Sequence, residues 1–336
     1  MNLLQSDFYF RIMLLFSTIG LFISCDNDFE VPLLKTSQSE VVISLATSDT
    51  IVYVRVNEET IPVYLSIPKD CTSESLPAVV LLHGSDGMWK NHDPETGTMA
   101  GQNSEWRDLF DSTCMVGAYV DSYTTRDCTT RTGKWKTPPE NFKISSQFIR
   151  PKDAYATLAL LRNLKYENGT KVIRPNDIGL LGFSDGASAV ASTLFDTNAV
   201  PSGWAWAQTF DDKNYNTSSG VLPPVSPPKE GGFSGGVFYY GGSGGYNYWG
   251  TSPCGNNAQN GNIYAPYAPL LYQIPENGYL TENTICLYEL LKSKGLPVEL
   301  NLYKDVGHGF DFDGVEQSSA ARKNTINWLK KILNAN

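Results

Sequence analysis

One serine of this sequence has the setting of a catalytic nucleophile. Ser184 is the centre of the run GFSDG at residues 182–186, which follows the apolar run 178–182 and precedes 186–194, a small-residue-rich stretch of helical pattern. The two glycines allow a sharp turn from strand to helix, which exposes the hydroxyl and directs N–H groups of the helix start towards it. A glycine-rich turn without chemistry has the same composition, but the strand before it and the helix after it favour the nucleophile.

A serine hydroxyl is a weak nucleophile, so this chemistry also requires an adjacent base. The sequence has three histidines, and His308 is the one that follows Ser184 in the chain. It lies after the β-branched run 298–303 and before the last predicted helix, whereas His83 and His92 precede the serine. Where a serine occupies such a strand-to-helix turn, the chain order is nucleophile, acid, base. We therefore predict that His308 is the base; an exposed loop histidine is the alternative.

Two backbone amides are candidates for an oxyanion hole, the donor pair that stabilises a carbonyl oxygen under attack. The run HGSDG at 83–87 follows the apolar run 78–83 and offers the N–H of Ser85, while the turn itself offers the N–H of Asp185. Backbone donors tolerate many side chains, so this prediction rests on position alone. A simple glycine turn at 83–87 is the alternative.

The pattern of apolar runs predicts the elements that hold these residues. Continuous apolar runs fit strands buried on both faces, and here they alternate with stretches of helical period. This alternation predicts an α/β fold, a mostly parallel twisted sheet with helices on both faces, whose chemistry lies at the carboxyl ends of the strands. The predicted strands are 41–45, 51–56 and 61–67 (an antiparallel start), then 78–83, 115–120, 178–182, 236–240, 269–274 and 298–303; the predicted helices are 153–164, 186–194, 281–294 and 317–333.

From about Val63 to Leu333 the chain resembles the α/β-hydrolase superfamily and, within it, the dienelactone hydrolase-like family. The likeness is carried by LLHG at 81–84, VDSY at 120–123 with Arg126 and Cys128, RPKDAY at 150–155 leading to 178–186, and 298–311 around HGFD. The resemblance implies hydrolysis of esters or lactones through a serine–acid–histidine triad, with no metal or other cofactor. Dienelactone hydrolases proper use cysteine as the nucleophile, so Ser184 does not imply dienelactone as the substrate.

The triad acid departs from the family pattern. The family's aspartate normally follows the strand that matches 269–274 in a GxxD pattern, and the expected position holds Gly278. The acid must reach the histidine nitrogen that faces away from the serine. Glu276 is the nearest carboxylate and is the predicted acid. The alternatives are no acid, which would leave a slow enzyme, or one of three other carboxylates: Glu282, Asp305 and Asp311.

Two long loops contain aromatic residues that fit a substrate-binding surface. Residues 198–232 are rich in Pro, Gly, Ser and Asn, and residues 241–262 are rich in Gly and Asn. Loops of this length are often functional. We predict that Tyr246 and Trp249 bind substrate, together with Tyr123 beyond the end of the strand 115–120. The alternatives are packing within the loops and, for Tyr123, a structural network.

The first 40 residues are predicted to direct and anchor the chain. The apolar run 12–23 has the length of a secretory signal and is short for a membrane span. The run FISC at 22–25 resembles a bacterial lipobox, and the acidic run 26–30 resembles a surface-export signal. The predicted organisation is a lipoprotein signal peptide at 1–24, lipidation at Cys25, a tether at 25–40, and a single hydrolase domain at 41–336 with loop insertions near 198–232 and 241–262. An ordinary secretory peptide or a buried helix is the alternative.

Charge, cysteines and location restrict the partners. The net charge of −9 disfavours nucleic acid as a partner. Without Cys25 five cysteines remain, so either at least one stays unpaired or the lipobox assignment is wrong. Cys114 and Cys128 could close a short loop or be isolated thiols. The sequence contains no CxxC or HExxH motif, so no metal site is expected. A lipid anchor would place the protein in the cell envelope, at the outer membrane surface, without a transmembrane helix.

Together these features predict a serine-dependent hydrolase of carboxylic esters or lactones that acts through an acyl-enzyme. The expected substrate is an extracellular ester, either a small molecule or one borne on a polysaccharide. The alternatives are a peptidase on the same fold and a catalytically weakened glycan-binding lipoprotein.

Overall fold

The computed structural model describes residues 41–242 and 247–335. The strands are β1 (Val41–Ile43), β2 (Asp49–Val56), β3 (Glu59–Ser66), β4 (Leu76–Leu82), β5 (Val116–Val120), β6 (Leu164–Tyr166), β7 (Ile173–Phe183), β8 (Ala207–Phe210), β9 (Lys213–Asn216), β10 (Gly236–Tyr239), β11 (Leu270–Pro275) and β12 (Val298–Tyr303). The α-helices are α1 (Gly101–Ser112), α2 (Arg150–Asn163), α3 (Asp185–Thr193), α4 (Ala258–Gly261), α5 (Thr281–Ser293) and α6 (Glu316–Ile332).

Eight of these strands form one sheet in the order β2-β3-β5-β4-β7-β10-β11-β12. The pairs β2–β3 and β3–β5 are antiparallel, and every other neighbouring pair is parallel. The central strands β4 and β5 are buried along their whole length, as their continuous apolar runs predict. The predicted α/β architecture is confirmed, including the antiparallel pair at 51–56 and 61–67.

Alternate residues of each central strand face two different hydrophobic cores. In β4, Val80 and Leu82 belong to a core shared with α2, α3 and α5, whereas Val79 and Leu81 belong to a core shared with α1 and α6. This two-residue period is a direct consequence of strand geometry. Helices therefore cover both faces of the sheet, and the loops at the carboxyl ends of the strands remain available for chemistry.

Helix α1 was not predicted from the sequence. Its first turn, GQNS, contains glycine, asparagine and serine, which are poor helix formers. The helix is positioned by Trp106 and Phe110, which are fully buried against the sheet. Tertiary packing outweighs local preference in this segment.

The first predicted strand has a different partner from the one expected. Residues 41–45 were predicted to begin an antiparallel group, but Val41–Ile43 pairs in parallel with Leu164–Tyr166, outside the main sheet. The strand is three residues long, and the side chain of its middle residue, Val42, is exposed to solvent. The sequence of such a short strand does not specify its partner. It pairs with β6, the strand that directly follows the end of α2.

Both predicted insertions contain structure of their own. Segment 198–232 holds the antiparallel hairpin of β8 and β9. Segment 241–262 holds α4 and is tied to α5 by a Cys254–Cys286 disulfide. A second disulfide joins Cys71 to Cys114, so the Cys114–Cys128 loop does not form. Cys128 is a buried free thiol, and burial raises its pKa to about 11, which keeps it protonated and unreactive.

The expectations for the signal peptide, Cys25 and the tether fall outside the described residues and stay predictions. Within residues 41–242 and 247–335, no helix has the length and apolar character needed to cross a membrane.

Candidate active site

Ser184 occupies a strained turn between β7 and α3. Its φ of +51° and ψ of −113° lie outside the usual regions for a residue with a side chain. A Cβ at Gly182 would lie 2.3 Å from the carbonyl oxygen of Gly186, and one at Gly186 would lie 2.0 Å from that of Leu82. Only glycine fits at both positions, so the GxSxG spacing is required by close backbone approach on either side of the serine.

The structure brings Ser184 and His308 together, although 124 residues separate them. His308 Nε2 lies 3.0 Å from Ser184 Oγ, in the loop that follows β12. Burial lowers the pKa of His308, and the negative charge of Asp86 opposes that shift only in part. The imidazole is therefore neutral at pH 7 and can accept the serine proton.

The other two histidines have no place in this contact. His83 is buried, with Nδ1 2.7 Å from the carbonyl oxygen of Gly84 and Nε2 accepting from the N–H of Ser122. Burial lowers the pKa of His83 to about 4, so it stays neutral and acts as a structural residue. His92 is exposed in a separate loop.

The loop carrying Ser85 lies beside Ser184. A Cβ at Gly84 would lie 3.7 Å from the Cβ of Ser184, which places the backbone of this loop next to the serine side chain. Asp185 begins α3, so its N–H belongs to the unsatisfied first turn of that helix. Both predicted oxyanion donors are thus adjacent to Ser184, and helix α3 adds the positive end of its dipole there.

Two arginines join the two oxyanion segments. Arg131 donates its backbone N–H to the Ser85 carbonyl at 2.7 Å and forms an ion pair with Asp185 through its guanidinium. Arg150 donates to the His83 carbonyl at 2.7 Å and to Asp185 Oδ2 at 2.7 Å. Burial alone would raise the pKa of Asp185, but the charges of Arg131 and Arg150 outweigh it and lower that pKa to about 2. The Asp185 side chain therefore links the turn at Ser184 to the loop at 83–87 through the two arginines.

Sequence reasoning overlooked this arginine pair. Arg150 stood in the RPKDAY segment that carried the family resemblance, and that was the available signal for it. Arg131 lies in an irregular segment with no periodicity, and its contact with Asp185 spans 54 residues. The structure alone reveals it.

The predicted triad acid is not at His308. Glu276 Oε2 accepts the backbone N–H of Asp305 at 3.1 Å, which fixes the loop after β12 instead of the imidazole. Asp311 accepts hydrogen bonds from Tyr240, Gln102 and Trp106. Among the residues with described positions, nothing bonds to the buried Nδ1 of His308. The prediction of Glu276 as the acid is thus wrong for this arrangement, because the segment after β11 uses that carboxylate to bind a neighbouring main-chain amide.

We therefore expect that Glu276→Gln changes kcat for an ester by less than about twofold, because the amide oxygen of glutamine can still accept from Asp305. Steady-state kinetics of the variant against the parent measures this. A loss beyond about tenfold, together with a lowered pH midpoint of the acid limb, would restore Glu276 as the partner of His308.

Of the three aromatic residues predicted to bind substrate, two are buried and the third lies outside the described residues. Tyr123 is 1 % exposed, and its hydroxyl donates to Asp185 Oδ2 at 3.0 Å. Trp249 is 2 % exposed, with its ring centre 4.2 Å from that of Phe195. Both predictions are wrong, because a side chain with no exposed surface offers nothing to a substrate. Tyr246 lies outside the described residues, so its role stays a prediction.

Two other tyrosines, not predicted from the sequence, pack against the imidazole. The ring centres of Tyr240 and Tyr279 each lie 4.6 Å from that of His308. The hydroxyl of Tyr279 lies 3.4 Å from Nε2. Tyr240 follows β10, and Tyr279 follows Gly278 directly, so each comes from a loop at the carboxyl edge of the sheet.

Comparison with known proteins identifies the fold and nothing finer. No family model and no curated protein matches the chain. A putative dienelactone hydrolase from Klebsiella pneumoniae matches with a TM-score of 0.50 and 13 % identity, over 85 % of this chain and 100 % of that one. Esterase 2 from Thermogutta terrifontis, phosphorylated by paraoxon, matches with a TM-score of 0.52 and 14 % identity, over 85 % of this chain and 94 % of that one.

A larger protein shares the same fold. Dipeptidyl peptidase 4 from Porphyromonas gingivalis matches with a TM-score of 0.51 and 12 % identity, over 84 % of this chain and 35 % of that one. This chain thus spans about a third of the length of the peptidase. With the sheet order, the strand-to-helix serine and these neighbours taken together, the chain has the α/β-hydrolase fold.

Proposed function

We propose that the protein is a serine hydrolase that cleaves carboxylic esters or lactones through an acyl-enzyme. The observation that carries this proposal is the 3.0 Å contact between Ser184 Oγ and His308 Nε2. A serine in a strained turn, a neutral histidine within hydrogen-bond reach and two backbone amides beside them are the parts that acyl transfer requires.

In the first half of the reaction Ser184 Oγ attacks the carbonyl carbon while His308 Nε2 takes its proton. The electron pair of the C=O double bond moves onto the oxygen, where the N–H groups of Ser85 and Asp185 stabilise the charge. The tetrahedral intermediate then collapses and expels the alcohol, which receives its proton from His308. In the second half a water repeats these steps on the acyl-enzyme, which releases the carboxylic acid and restores the serine.

The structural neighbours support an ester over a peptide substrate. One is an esterase that carries a phosphoryl group from paraoxon, and another is a putative dienelactone hydrolase of which this chain covers the full length. The peptidase neighbour is a much longer chain, of which this protein spans 35 %.

On the sequence patterns alone, we also propose that Cys25 is lipidated and that the chain is held at the outer membrane surface. An enzyme in that position meets extracellular esters, including those borne on polysaccharides. Metabolic labelling with a fatty-acid analogue, lost in Cys25→Ala, tests the anchor independently of the chemistry.

Labelling with a fluorophosphonate probe tests the proposed function, because such probes bond to an activated serine. We expect the wild-type protein and Ser112→Ala, a change at an exposed serine, to be labelled equally, and Ser184→Ala not to be labelled. No labelling between about pH 6 and 9 would overturn the proposal. Labelled protein that cleaves chromogenic peptides faster than esters would be a peptidase, and polysaccharide binding without labelling or turnover would indicate a glycan-binding protein.

A further inference from the structure

The environment of His308 differs from that of an ordinary triad histidine. The acid of a triad has two duties, which are to orient the imidazole and to stabilise the positive charge it gains from the serine. Here Nδ1 is buried without a hydrogen-bond partner in the described part of the chain, and Glu276 binds the backbone N–H of Asp305 instead. Both duties must then be met by something other than a carboxylate at Nδ1.

The loop between β11 and α5, where the acid was expected, places an aromatic ring against His308. Tyr279, the residue after Gly278, has its ring centre 4.6 Å from that of His308, with the two planes inclined by 31°. Tyr240, from the loop after β10, has its ring centre at the same 4.6 Å with planes inclined by 58°. We refer to Tyr240 and Tyr279 as the tyrosine pair.

The inner member of the tyrosine pair is firmly held. Tyr240 is buried, its hydroxyl donates to Asp311 and accepts from Gln102 Nε2 at 2.7 Å, and Trp106 Nε1 donates to Asp311 at 3.0 Å. Burial keeps the pKa of Tyr240 well above 10, so the ring stays neutral. These bonds orient the Tyr240 ring, and His308 packs against it.

A tyrosine face also attracts a cation. A positive group within about 6 Å of an aromatic ring centre is stabilised by the negative face of the ring. His308 becomes such a cation when it takes the Ser184 proton, and both rings lie inside that distance. The imidazolium is then stabilised at the moment when charge develops.

We propose that the tyrosine pair replaces the triad acid, with Tyr240 and Tyr279 as positioning residues that orient His308 and stabilise its protonated form. The inference rests on the proposed roles of Ser184 and His308 as nucleophile and base. It explains how the site can act when no described residue bonds to Nδ1 of His308.

Tyr279 offers the cleaner test, because it is 76 % exposed and its replacement does not threaten the fold. Leucine keeps an apolar cover over the imidazole and removes the ring face. Phenylalanine keeps the ring face and removes the hydroxyl that lies 3.4 Å from Nε2. Tyr53→Leu, at another exposed tyrosine on β2, is the matched control.

NMR titration of histidine-labelled protein reads the pKa of His308 without requiring any activity. The chain has three histidines, so His308 is assigned by its loss in His308→Gln. The charged group that acts on it is Asp86, and the carboxylate bonded to the neighbouring Tyr240 is Asp311; the Tyr279 variants alter neither. We expect Tyr279→Leu to lower the midpoint by about half a pH unit, whereas Tyr279→Phe and Tyr53→Leu retain it.

The rate of Ser184 modification by a small fluorophosphonate gives the second measurement. We expect Tyr279→Leu to slow it by about three- to tenfold, and Tyr279→Phe to slow it less. An unchanged midpoint in Tyr279→Leu, or the same shift in Tyr279→Phe, would overturn the role of the ring. Absence of labelling in the parent protein would instead overturn the proposed function, so the two failures are distinct.

Discussion

Replacing His308 with glutamine is expected to lower kcat/KM for an ester by at least about a thousandfold. Glutamine fills much of the same space but cannot take the proton of Ser184 Oγ, which lies 3.0 Å from Nε2. The residual rate comes from the oxyanion donors and substrate binding, which the substitution leaves in place. Hydrolysis of a chromogenic ester measures this effect, and circular dichroism checks the fold.

The pH profile sharpens this prediction. The parent enzyme is expected to lose activity on acidification with a midpoint below 6.5, because burial lowers the pKa of His308 and the base must be neutral. His308→Gln should have no such limb. His92→Gln, at an exposed histidine, serves as the control and should retain the parent rate and midpoint. A His308→Gln variant with more than about a tenth of the parent activity would exclude His308 as the base.

Replacing Asp185 with asparagine is expected to lower the free energy of unfolding by about 3–5 kcal/mol at pH 7. The change removes the carboxylate that pairs with the fully buried guanidinium of Arg150 and the part-buried guanidinium of Arg131. It also loosens the links from these arginines to Ser85 and His83, so kcat should fall as well. Denaturant unfolding of the parent and the variant measures the first effect, and ester kinetics the second.

The stabilisation that Asp185 contributes depends on pH. Asp185 has a folded-state pKa of about 2 against its usual 3.8, so its ionised form is favoured by folding. That contribution is complete above 3.8 and is lost as the pH falls towards 2. The difference in free energy of unfolding between the parent and Asp185→Asn should therefore shrink in acid.

Asp127→Asn, at an exposed carboxylate near Lys134, is the matched control and should leave the unfolding midpoint unchanged. Equal stability of Asp185→Asn and the parent at pH 7 would mean that the two arginines find other partners.

Most of the sheet could be predicted because strand character is local. The run 298–303 is a strand with those bounds, and the helix at 281–294 differs from its prediction by one residue. Helix α1 was missed because its first turn is unfavourable and its stability comes from two aromatic rings packed on the sheet. The partner of β1 is β6 and not β2, because a strand of three residues does not specify its partner.

Some residues of the candidate site could also be predicted from the sequence, and others could not. Ser184 was recognisable because the close approach of Gly182 and Gly186 restricts what can stand beside it. The acid could not be predicted, because the carboxylate nearest to the expected position is free to bind elsewhere, as Glu276 binds the backbone N–H of Asp305. Composition does not reveal burial, and Trp249 and Tyr123, which the sequence predicts as binding residues, are both buried.

By itself, the sequence determined the strand-to-helix turn at Ser184, the histidine that contacts it and the order of the buried strands along the chain. These depend on short-range pattern, on the spacing of glycines and on the scarcity of histidines, all of which are visible along the chain. Only the tertiary structure decided that Arg131 and Arg150 join Asp185 to the loop at 83–87. It also decided that Tyr240 and Tyr279 pack against His308, whose Nδ1 has no hydrogen-bond partner among the described residues. The physical reason is separation in the chain: each of these contacts joins residues that are tens of positions apart. Such contacts are made by side chains whose partners are chosen by packing, burial and charge once the sheet has brought its loops to one edge.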